Sequence, residues 1–308
     1  MKPLRIGTRG SLLAKWQAEY VRKQLFATEG VEAEIIVIKT AGDKMQQSPL
    51  TQIGGKGIFV KELEDALLDN SIDLAVHSVK DIPTETPSRL NFPAVCRRDD
   101  IRDCLISAVG SSFETLRKGA RVGTSSLRRQ AQLLHLRPDL DIRELRGNVD
   151  TRLRKVADGQ YDAIVLAKAG LDRLGWSHRI SETFAPDVFM PAVGQGAIAV
   201  ETRLGDNATE DLLAKLDDAE TRAAIITERS LLAALQGGCQ VPVGAWARIE
   251  RGEMILEACV TSFDGVQHVR QRLTSAPDQG AQLGQQMAQR LIESGAEAIL
   301  EEAGRQRG

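Results

Sequence analysis

The chain has 308 residues and a formal net charge of −2, a length that allows two or three domains of ordinary size. Hydrophobic residues make up 42% and charged residues 27%, which is typical of a globular protein with substantial cores. The near-zero charge gives no general attraction to nucleic acid or to an anionic membrane. We find no apolar stretch of membrane-spanning length and no signal-peptide pattern, so we expect a cytoplasmic protein.

Four cysteines and four histidines are scattered along the sequence. No two cysteines form a CxxC pair and no histidines have the spacing of a zinc site, so we predict no metal. In a reducing cytoplasm, we expect free thiols rather than disulfides.

The first hundred residues alternate between strand and helix patterns, which is typical of parallel α/β architecture. The predicted elements are strands at 4–8, 33–39 and 72–77, and helices at 12–25 and 59–68. Ser11 is placed to cap the first helix. The polar, glycine-rich stretch 42–57 is too long for a tight connection and predicts a mobile loop.

A second α/β unit repeats this opening. Its predicted elements are strands at 120–123, 141–145 and 161–167, and helices at 127–136 and 149–157. In both units a strand is followed by hydroxyl residues and a helix, with arginine at the junction (Arg9 in the first; Arg128 and Arg129 in the second). Helix N-termini of this kind bind anions. Two of them in matching positions suggest two lobes that grip an acidic ligand.

The chain then changes character. A glycine-rich stretch at 192–200 predicts a hinge that returns the chain to the first lobe. Alternating runs follow at 246–250, 255–262 and 266–273, with turns at Arg251-Gly252 and Asp264-Gly265, and a helix is predicted at 280–300. Asp-Gly between alternating runs is a strong hairpin signal. We therefore predict three domains: 1–98 with 197–216, 99–196, and 217–308.

Residues 121–155 hold nine basic residues against four acidic ones. Arginine dominates the set, and its planar fork binds carboxylates or phosphates through paired bonds. For Arg137, Arg143 and Arg154, a solvated helix face is the simpler interpretation. Aromatic residues are only 4% of the chain, which disfavours a base-stacking nucleic-acid surface. Four arginines lie where open α/β sheets bind ligands: Arg128, Arg129, Arg146 and Arg152.

Two further residues are candidates for chemistry. Asp81 ends a predicted strand directly after Lys80, where a carboxylate can stabilise a cation or move a proton; a turn-forming aspartate is the alternative. Cys239 follows Gly237-Gly238 at the end of a helical pattern over 219–235. The simpler interpretation there is a glycine C-cap beside an idle, half-buried thiol.

Several ordered blocks together resemble the porphobilinogen deaminase (hydroxymethylbilane synthase) family over essentially the whole chain. They are IGTRGS at 6–11, GGKG at 54–57, AVHSVKD at 75–81, VGTSSLRR at 122–129, LRGNVDTR at 145–152, ERS at 228–230 and GGC at 237–239. The resemblance implies two α/β lobes like those of type II periplasmic binding proteins. It also implies a small C-terminal α+β domain with a three-stranded antiparallel sheet.

The same resemblance implies a transferase of tetrapyrrole, and hence porphyrin and heme, biosynthesis. A dipyrromethane cofactor would be held by a thioether to Cys239, and four porphobilinogen molecules would condense onto it head to tail, each releasing ammonia. Hydrolysis would then free hydroxymethylbilane. Asp81 would be catalytic, because its carboxylate can stabilise the cationic azafulvene left by ammonia. We expect a monomer with porphobilinogen as its partner, and no nucleic acid or membrane.

Every pyrrole ring carries an acetate and a propionate, and the resemblance implies which residues bind these carboxylates. Besides Cys239 and Asp81, the implied cofactor-binding residues are Ser78, Lys80, Thr124, Ser126, Arg128, Arg129 and Arg146. The implied substrate-binding residues are Arg9, Ser11, Lys56, Phe59, Arg146, Arg152, Arg173 and Gln195. Gln52 departs from the pattern, because we expect a lysine there.

Two alternatives remain open at this stage. A two-lobed anion-binding protein without catalysis would explain the hinge and the arginines, but not Cys239 on its glycine loop. A hydrolase with a cysteine nucleophile would need a histidine partner, and the four histidines have no recognisable context.

Overall fold

A computed structural model describes residues 3–40, 60–235 and 241–305. The loop predicted at 42–57 and the Gly237-Gly238-Cys239 stretch lie outside these ranges. The chain divides into two compact units, Met1–Asp99 with Ala197–Arg222 and Asp100–Gly196 with Ala223–Gly308. The second lobe and the C-terminal sheet belong to the same unit, and the three-domain division stays a prediction.

The strands of the described residues are numbered in chain order. They are β1 (Leu4–Arg9), β2 (Ala33–Ile38), β3 (Leu74–Ser78), β4 (Leu90–Val95), β5 (Asp103–Ser107), β6 (Arg121–Gly123), β7 (Asp141–Arg143), β8 (Ala163–Ala167), β9 (Glu182–Thr183), β10 (Ile198–Arg203), β11 (Val243–Glu250), β12 (Glu253–Thr261) and β13 (His268–Ser275).

The α-helices are numbered in the same way. They are α1 (Leu12–Glu29), α2 (Lys61–Leu68), α3 (Leu127–Leu136), α4 (Val149–Ala157), α5 (Lys168–Arg173), α6 (Asn207–Ala214), α7 (Ala219–Ala234), α8 (Gly280–Leu291) and α9 (Glu297–Arg305). The single helix predicted at 280–300 was wrong, because Gly295 has a φ of 101° and breaks it into α8 and α9. Within the described ranges, no helix combines the length and hydropathy that crossing a membrane requires.

The first lobe is a five-stranded sheet with the order β2-β1-β3-β10-β4. β1 runs parallel to β2 and β3, whereas β10 runs antiparallel to β3 and β4. α1 packs on one face through Val21 and Leu25, and α2 covers the other face through Leu63 and Leu67. Both faces are covered, which explains the continuous apolar run at 74–76 in β3. β10 comes after the second lobe in the sequence but lies in the sheet of the first lobe, between β3 and β4. The predicted return of the chain to the first lobe at 192–200 is therefore confirmed.

The second lobe repeats this topology with the order β7-β6-β8-β5-β9. β6 is parallel to β7 and β8, and β5 is antiparallel to β8 and β9. The predicted pair of α/β lobes is therefore confirmed. The prediction of parallel strands fails only for β5 and β10, because a residue pattern indicates a strand and does not reveal its direction.

The C-terminal sheet is an antiparallel meander with the order β11-β12-β13, as predicted. One face packs on α7 and α8 around a core that includes Leu231, Leu256 and Met287. Burial of this face, rather than the intrinsic preferences of the strands, stabilises the meander.

A tight contact joins this sheet to α3 within the second unit. The turn between β12 and β13 contains Gly265, with a φ of 77°. A Cβ atom there would lie 2.3 Å from the backbone nitrogen of His135, and the Nδ1 of His135 is 2.8 Å from the Gly265 carbonyl oxygen. The rings of His135 and His268 stack with centroids 4.4 Å apart. Burial, followed by the nearby His135, lowers the pKa of His268.

Substitution of Gly265 tests this contact. Gly265→Ala adds both strain at positive φ and a backbone clash, so we expect a loss of roughly 2–4 kcal/mol in the free energy of unfolding. Gly252, with a φ of 83° and no atom within 4 Å of the place that a Cβ would take, is the matched control. Gly252→Ala should cost about 1 kcal/mol, from strain alone. Urea unfolding measures both, and equal losses would contradict the close approach.

Candidate functional site

In the first lobe, five predicted site residues lie at the ends of β1 and β3 or directly after them. Arg9 ends β1 and Ser11 caps α1, where its Oγ accepts a hydrogen bond from the backbone N–H of Ala14 at 3.2 Å. Ser78 ends β3, and a single 3₁₀ turn, Val79–Asp81, carries Lys80 and Asp81. β1 and β3 are neighbours, so this edge of the sheet brings the two segments together.

A buried glutamine links these two segments. The Nε2 of Gln17, on α1, donates to the Oγ of Ser78 at 2.8 Å, and Gln17 is 3% exposed. Asp81, by contrast, is exposed. The fold therefore presents the Asp81 carboxylate at the surface of a rigid strand end, where it can meet a ligand.

In the second lobe, the loops after β6 and β7 are bonded to each other. The backbone N–H of Thr124 donates to the carbonyl of Arg143 at 2.9 Å, and the hydroxyl of Ser125 donates to the carbonyl of Leu145. Ser126 caps α3, accepting from the backbone N–H of Arg129 at 3.4 Å. The predicted residues Thr124 and Ser126 thus lie beside the loop that carries Arg146.

The first turn of α3 places two arginines against one buried carboxylate. The Nη2 of Arg128 lies 2.8 Å from one oxygen of Asp103, and the Nη2 of Arg129 lies 2.7 Å from the other. Burial would raise the pKa of Asp103, but the two guanidinium groups outweigh burial and lower it. Burial also lowers the pKa of Arg128, although arginine keeps its proton in proteins. Among the residues described, this carboxylate faces two guanidinium groups, so the three groups together carry one positive charge.

The segment that leads out of the second lobe is tied to this cluster. Gln195 donates from Nε2 to Asp103 at 3.1 Å and to the carbonyl of Ile101 at 2.7 Å. Arg128 and Gln132 both donate to the carbonyl of Met190, at 2.5 and 3.0 Å. The cluster is therefore fixed by β5, by α3 and by the exit segment together.

Arg146 and Arg152 flank the loop between β7 and α4. The Nε of Arg146 donates to Glu144 at 2.8 Å, while its Nη2 is buried and has no hydrogen-bond partner among the residues described. The Nε of Arg152 donates to the carbonyl of Gly147 at 2.7 Å. A buried N–H group without a partner costs free energy, so an anion beside Arg146 would stabilise this loop.

Arg173 lies on α5, and its Nη2 donates to the carbonyl of Gly196 at 2.8 Å. The arginines interpreted as a solvated surface pair with nearby acids instead of gathering at the site. Arg137 contacts Asp139, Arg143 contacts Asp141 and Arg154 contacts Asp150.

The three cysteines in the described ranges, Cys96, Cys104 and Cys259, are buried. Burial raises the pKa of Cys104 to about 12 and that of Cys259 to about 11. Because the thiolate is the reactive form, these two thiols are inert at neutral pH. Cys239, Lys56, Phe59 and Gln52 lie outside the described residues.

Three residues that make buried contacts at or near the site were not predicted from the sequence: Gln17, Asp103 and Glu228. The buried Glu228 accepts from the backbone N–H groups of Gly194 and Ala247, at 2.7 and 2.8 Å. The strand that contains Asp103 was not predicted. For Glu228, the signals were its place in the ERS block at 228–230 and an acidic residue on the apolar face of a helical pattern.

These features define a two-lobed α/β protein with a polar edge in each lobe and a surplus of buried positive charge in the second. A family model described as the porphobilinogen deaminase dipyrromethane cofactor-binding domain matches residues 4–211, and one for the C-terminal domain of that enzyme matches residues 223–293. The chain belongs to the porphobilinogen deaminase family.

Curated relatives match along nearly the whole chain. A porphobilinogen deaminase of Trichlorobacter lovleyi is 49% identical over 98% of this chain and 96% of its own length. One of Syntrophobacter fumaroxidans is 47% identical over 97% of each chain.

Solved structures of periplasmic binding proteins are more distant. A periplasmic substrate-binding protein of Coxiella burnetii is 16% identical, with a TM-score of 0.42 over 69% of this chain and 91% of its own. A periplasmic sulfonate-binding protein of Methylobacillus flagellatus is 13% identical, with a TM-score of 0.39 over 77% of this chain and 68% of its own. Values this low support no statement about function.

The residues of the second lobe fit an anionic cofactor such as dipyrromethane. The ring substituents of dipyrromethane are carboxylates, which need cationic or N–H partners. The uncompensated charge at Arg128 and Arg129 and the buried Nη2 of Arg146 are such partners.

Removing the shared carboxylate tests the charge cluster. Asp103→Asn leaves two buried guanidinium groups without a counter-charge, so we expect a loss of about 3–5 kcal/mol in the free energy of unfolding at pH 7. The folded pKa of Asp103 is lowered, so its contribution is present above about pH 4 and is lost as the pH falls through the folded pKa. The variant should therefore show a smaller loss of stability on acidification than the wild type.

Asp162 supplies the control, because it pairs with Arg117 and Arg121 nearer the surface. Asp162→Asn should cost about 1 kcal/mol or less. Urea unfolding at pH 7 and at acidic pH measures both variants. If Asp103→Asn costs no more than Asp162→Asn, the cluster does not have the electrostatic role assigned to it.

Proposed function

We propose that this chain has hydroxymethylbilane synthase activity. It condenses four porphobilinogen molecules head to tail, with release of ammonia at each step, and frees hydroxymethylbilane by hydrolysis. The observation that carries the proposal is the buried cluster in which Asp103 faces both Arg128 and Arg129, in a chain of the porphobilinogen deaminase family. This cluster fits a substrate whose every ring bears two carboxylates.

When bound, dipyrromethane supplies a pyrrole primer onto which the substrate rings are added. Cys239 is the residue that would hold it through a thioether. The competing thiols support this choice, because the pKa values of Cys104 and Cys259 are raised by burial and neither forms a thiolate readily at neutral pH.

Both lobes bind carboxylates in this proposal, and the first lobe also carries the catalytic Asp81. Second-lobe residues bind carboxylates through hydroxyl, amide and guanidinium groups, and the charge left over at Arg128 and Arg129 attracts them. Cofactor carboxylates are assigned to Ser78, Lys80, Thr124, Ser126, Arg128, Arg129 and Arg146. Substrate is assigned to Arg9, Ser11, Lys56, Phe59, Arg146, Arg152, Arg173 and Gln195.

Asp81 is the proposed catalytic residue. When ammonia leaves porphobilinogen, positive charge develops on the pyrrole ring, and an aspartate beside the ring N–H stabilises that charge and can move the proton. The exposed position of Asp81 on a short turn after β3 supports this role. No feature favours a binding protein without catalysis. The cytoplasmic location and the monomeric state stay predictions.

The attachment of the cofactor is tested by the intact mass of denatured protein. The wild type should carry an adduct of two linked pyrrole units that survives unfolding, and Cys239→Ser should lack it because it has no thiol there. Cys259→Ala is the control and should keep the adduct. An active enzyme with an unmodified mass would refute the proposal.

The role of Asp81 is tested separately. Asp81→Ala should keep the mass adduct but lose about 100- to 10,000-fold in kcat, the usual contribution of a positioned acid or base. Asp65→Ala, which removes an exposed aspartate on α2, should keep the wild-type kcat. Product formation from porphobilinogen is the measurement. Substantial activity in Asp81→Ala would remove Asp81 from the mechanism.

A further inference from the structure

A buried ionisable pair lies in the first lobe, directly before the segment that carries Asp81. The Nε2 of His77, on β3, is 2.9 Å from the Oε2 of Glu201, on β10. The two side chains are 4% and 0% exposed. A carboxylate only accepts hydrogen bonds, so with Glu201 ionised the proton of this bond is on Nε2. The pair therefore fixes the imidazole of β3 to the neighbouring antiparallel strand.

The sheet is irregular at Glu201. Val200 lies opposite Ala94 and Thr202 lies opposite Asn91, so β4 has one extra residue in this interval. The extra length contains Phe92 and Pro93. A bulge of this kind re-aims side chains and is frequent beside active sites.

Other side chains hold the bulge in place. The Nη2 of Arg222 donates to the carbonyls of Phe92 and Pro93 at 3.1 and 2.8 Å, and its Nε contacts Asp217 at 2.7 Å. The ring of Phe92 meets the imidazole of His77 edge-on, with centroids 6.2 Å apart. Arg222 thus anchors the bulge, and the bulge places Phe92 against the imidazole.

The bond to His77 satisfies only one oxygen of the Glu201 carboxyl group. The Oε1 of Glu201 is buried and finds no hydrogen-bond partner in the part of the chain that is described. A second carboxylate, Glu64 on α2, is close enough that Glu201 contributes to raising its pKa, after the larger effect of burial. Such an arrangement is costly, because a buried ion pair rarely stabilises a fold more than apolar residues of the same size. Its cost indicates a role other than stability.

Its position indicates what that role is. His77 directly precedes Ser78, and β3 then passes into the turn Val79–Asp81. The backbone N–H of Val79 donates to the carbonyl of Ala197, just before β10, at 3.0 Å. β10 therefore holds this end of β3 in three ways: through the strand pairing itself, through the backbone at Val79 and through the side chain at His77.

We propose that His77 and Glu201 are positioning residues for Asp81. Their hydrogen bond, set by the bulge in β4, holds the end of β3 so that the following turn keeps the Asp81 carboxylate in its working place. This inference rests on the proposed function. It assigns no contact with substrate to either residue.

The test compares variants of Glu201 in the cofactor-loaded enzyme, with kcat counted per molecule that carries the mass adduct. Glu201→Ala removes the bond, and we expect kcat to fall roughly 10- to 100-fold, since a small displacement of a catalytic group costs this much. KM should stay within about twofold, because substrate binding is untouched. Glu201→Gln can still accept from Nε2 and should restore kcat to within about fivefold of the wild type.

Phe92→Leu is the matched control, because it weakens packing against the same imidazole without removing the bond. It should lower Tm but leave kcat within about twofold of the wild type. Should Glu201→Ala fail to fold, Glu201→Asp and His77→Leu carry the test. Asp shortens the side chain by one methylene and draws the carboxylate away from Nε2, and Leu removes the donor, so each should lower kcat in the same way.

A wild-type kcat per loaded molecule in the folded variants that lack the bond would overturn the inference. Equal damage in Glu201→Gln and Glu201→Ala would also overturn it, because the bond would then not be what matters. Failure of the proposed function would look different. The unaltered enzyme would form no hydroxymethylbilane from porphobilinogen, whatever the variants do.

Discussion

The unequal charge balance around Asp103 is the constraint on which the second lobe depends. One buried carboxylate faces Arg128 and Arg129, and neither guanidinium group can lose its proton. The carboxylate makes burial of the arginines tolerable, but it leaves one positive charge uncompensated. A fold that needed only stability would gain little from such a cluster. A fold that must hold a succession of carboxylates gains a preorganised anion site.

The cluster also explains why distant segments meet in this lobe. Asp103 belongs to β5, the arginines to the first turn of α3, and Gln195 to the segment that leaves the lobe. The hydroxyl of Ser126 caps the start of α3, and the first turn of that helix carries both arginines. In the first lobe, Arg9 and Lys80 lie at the same edge as the exposed Asp81, which follows β3 on a short turn. Two sheets of the same topology therefore differ in the place of the carboxylate, which is buried against arginines in one and exposed in the other.

The sequence was most informative where local signals decide structure. α3 and α4 begin and end where predicted, because apolar residues recur along one face of each helix, and Ser126 also caps the start of α3. The hairpin turns at Gly252 and Gly265 were equally clear, since positive φ at these positions favours glycine. The role of Cys239 was predicted from the resemblance to the family, because no local residue pattern indicates it.

Long-range effects were not accessible in the same way. Asp103 lies 26 residues before Arg129 in the sequence, and no residue pattern around it indicates the pairing. The reversed direction of β5 and β10, and the bulge that places Glu201, are properties of strand pairing rather than of any one strand. The break at Gly295 was missed because apolar periodicity continues on both sides of it.

The central claim is that the chain builds a tetrapyrrole while the growing product stays attached to the protein. Its most direct test is the intact mass of cofactor-loaded enzyme after brief exposure to limiting porphobilinogen. We expect a ladder of covalent species above the holoenzyme, each heavier than the last by one porphobilinogen less ammonia, which returns to the holoenzyme mass as hydroxymethylbilane is released. A single unchanged mass throughout turnover would contradict the account.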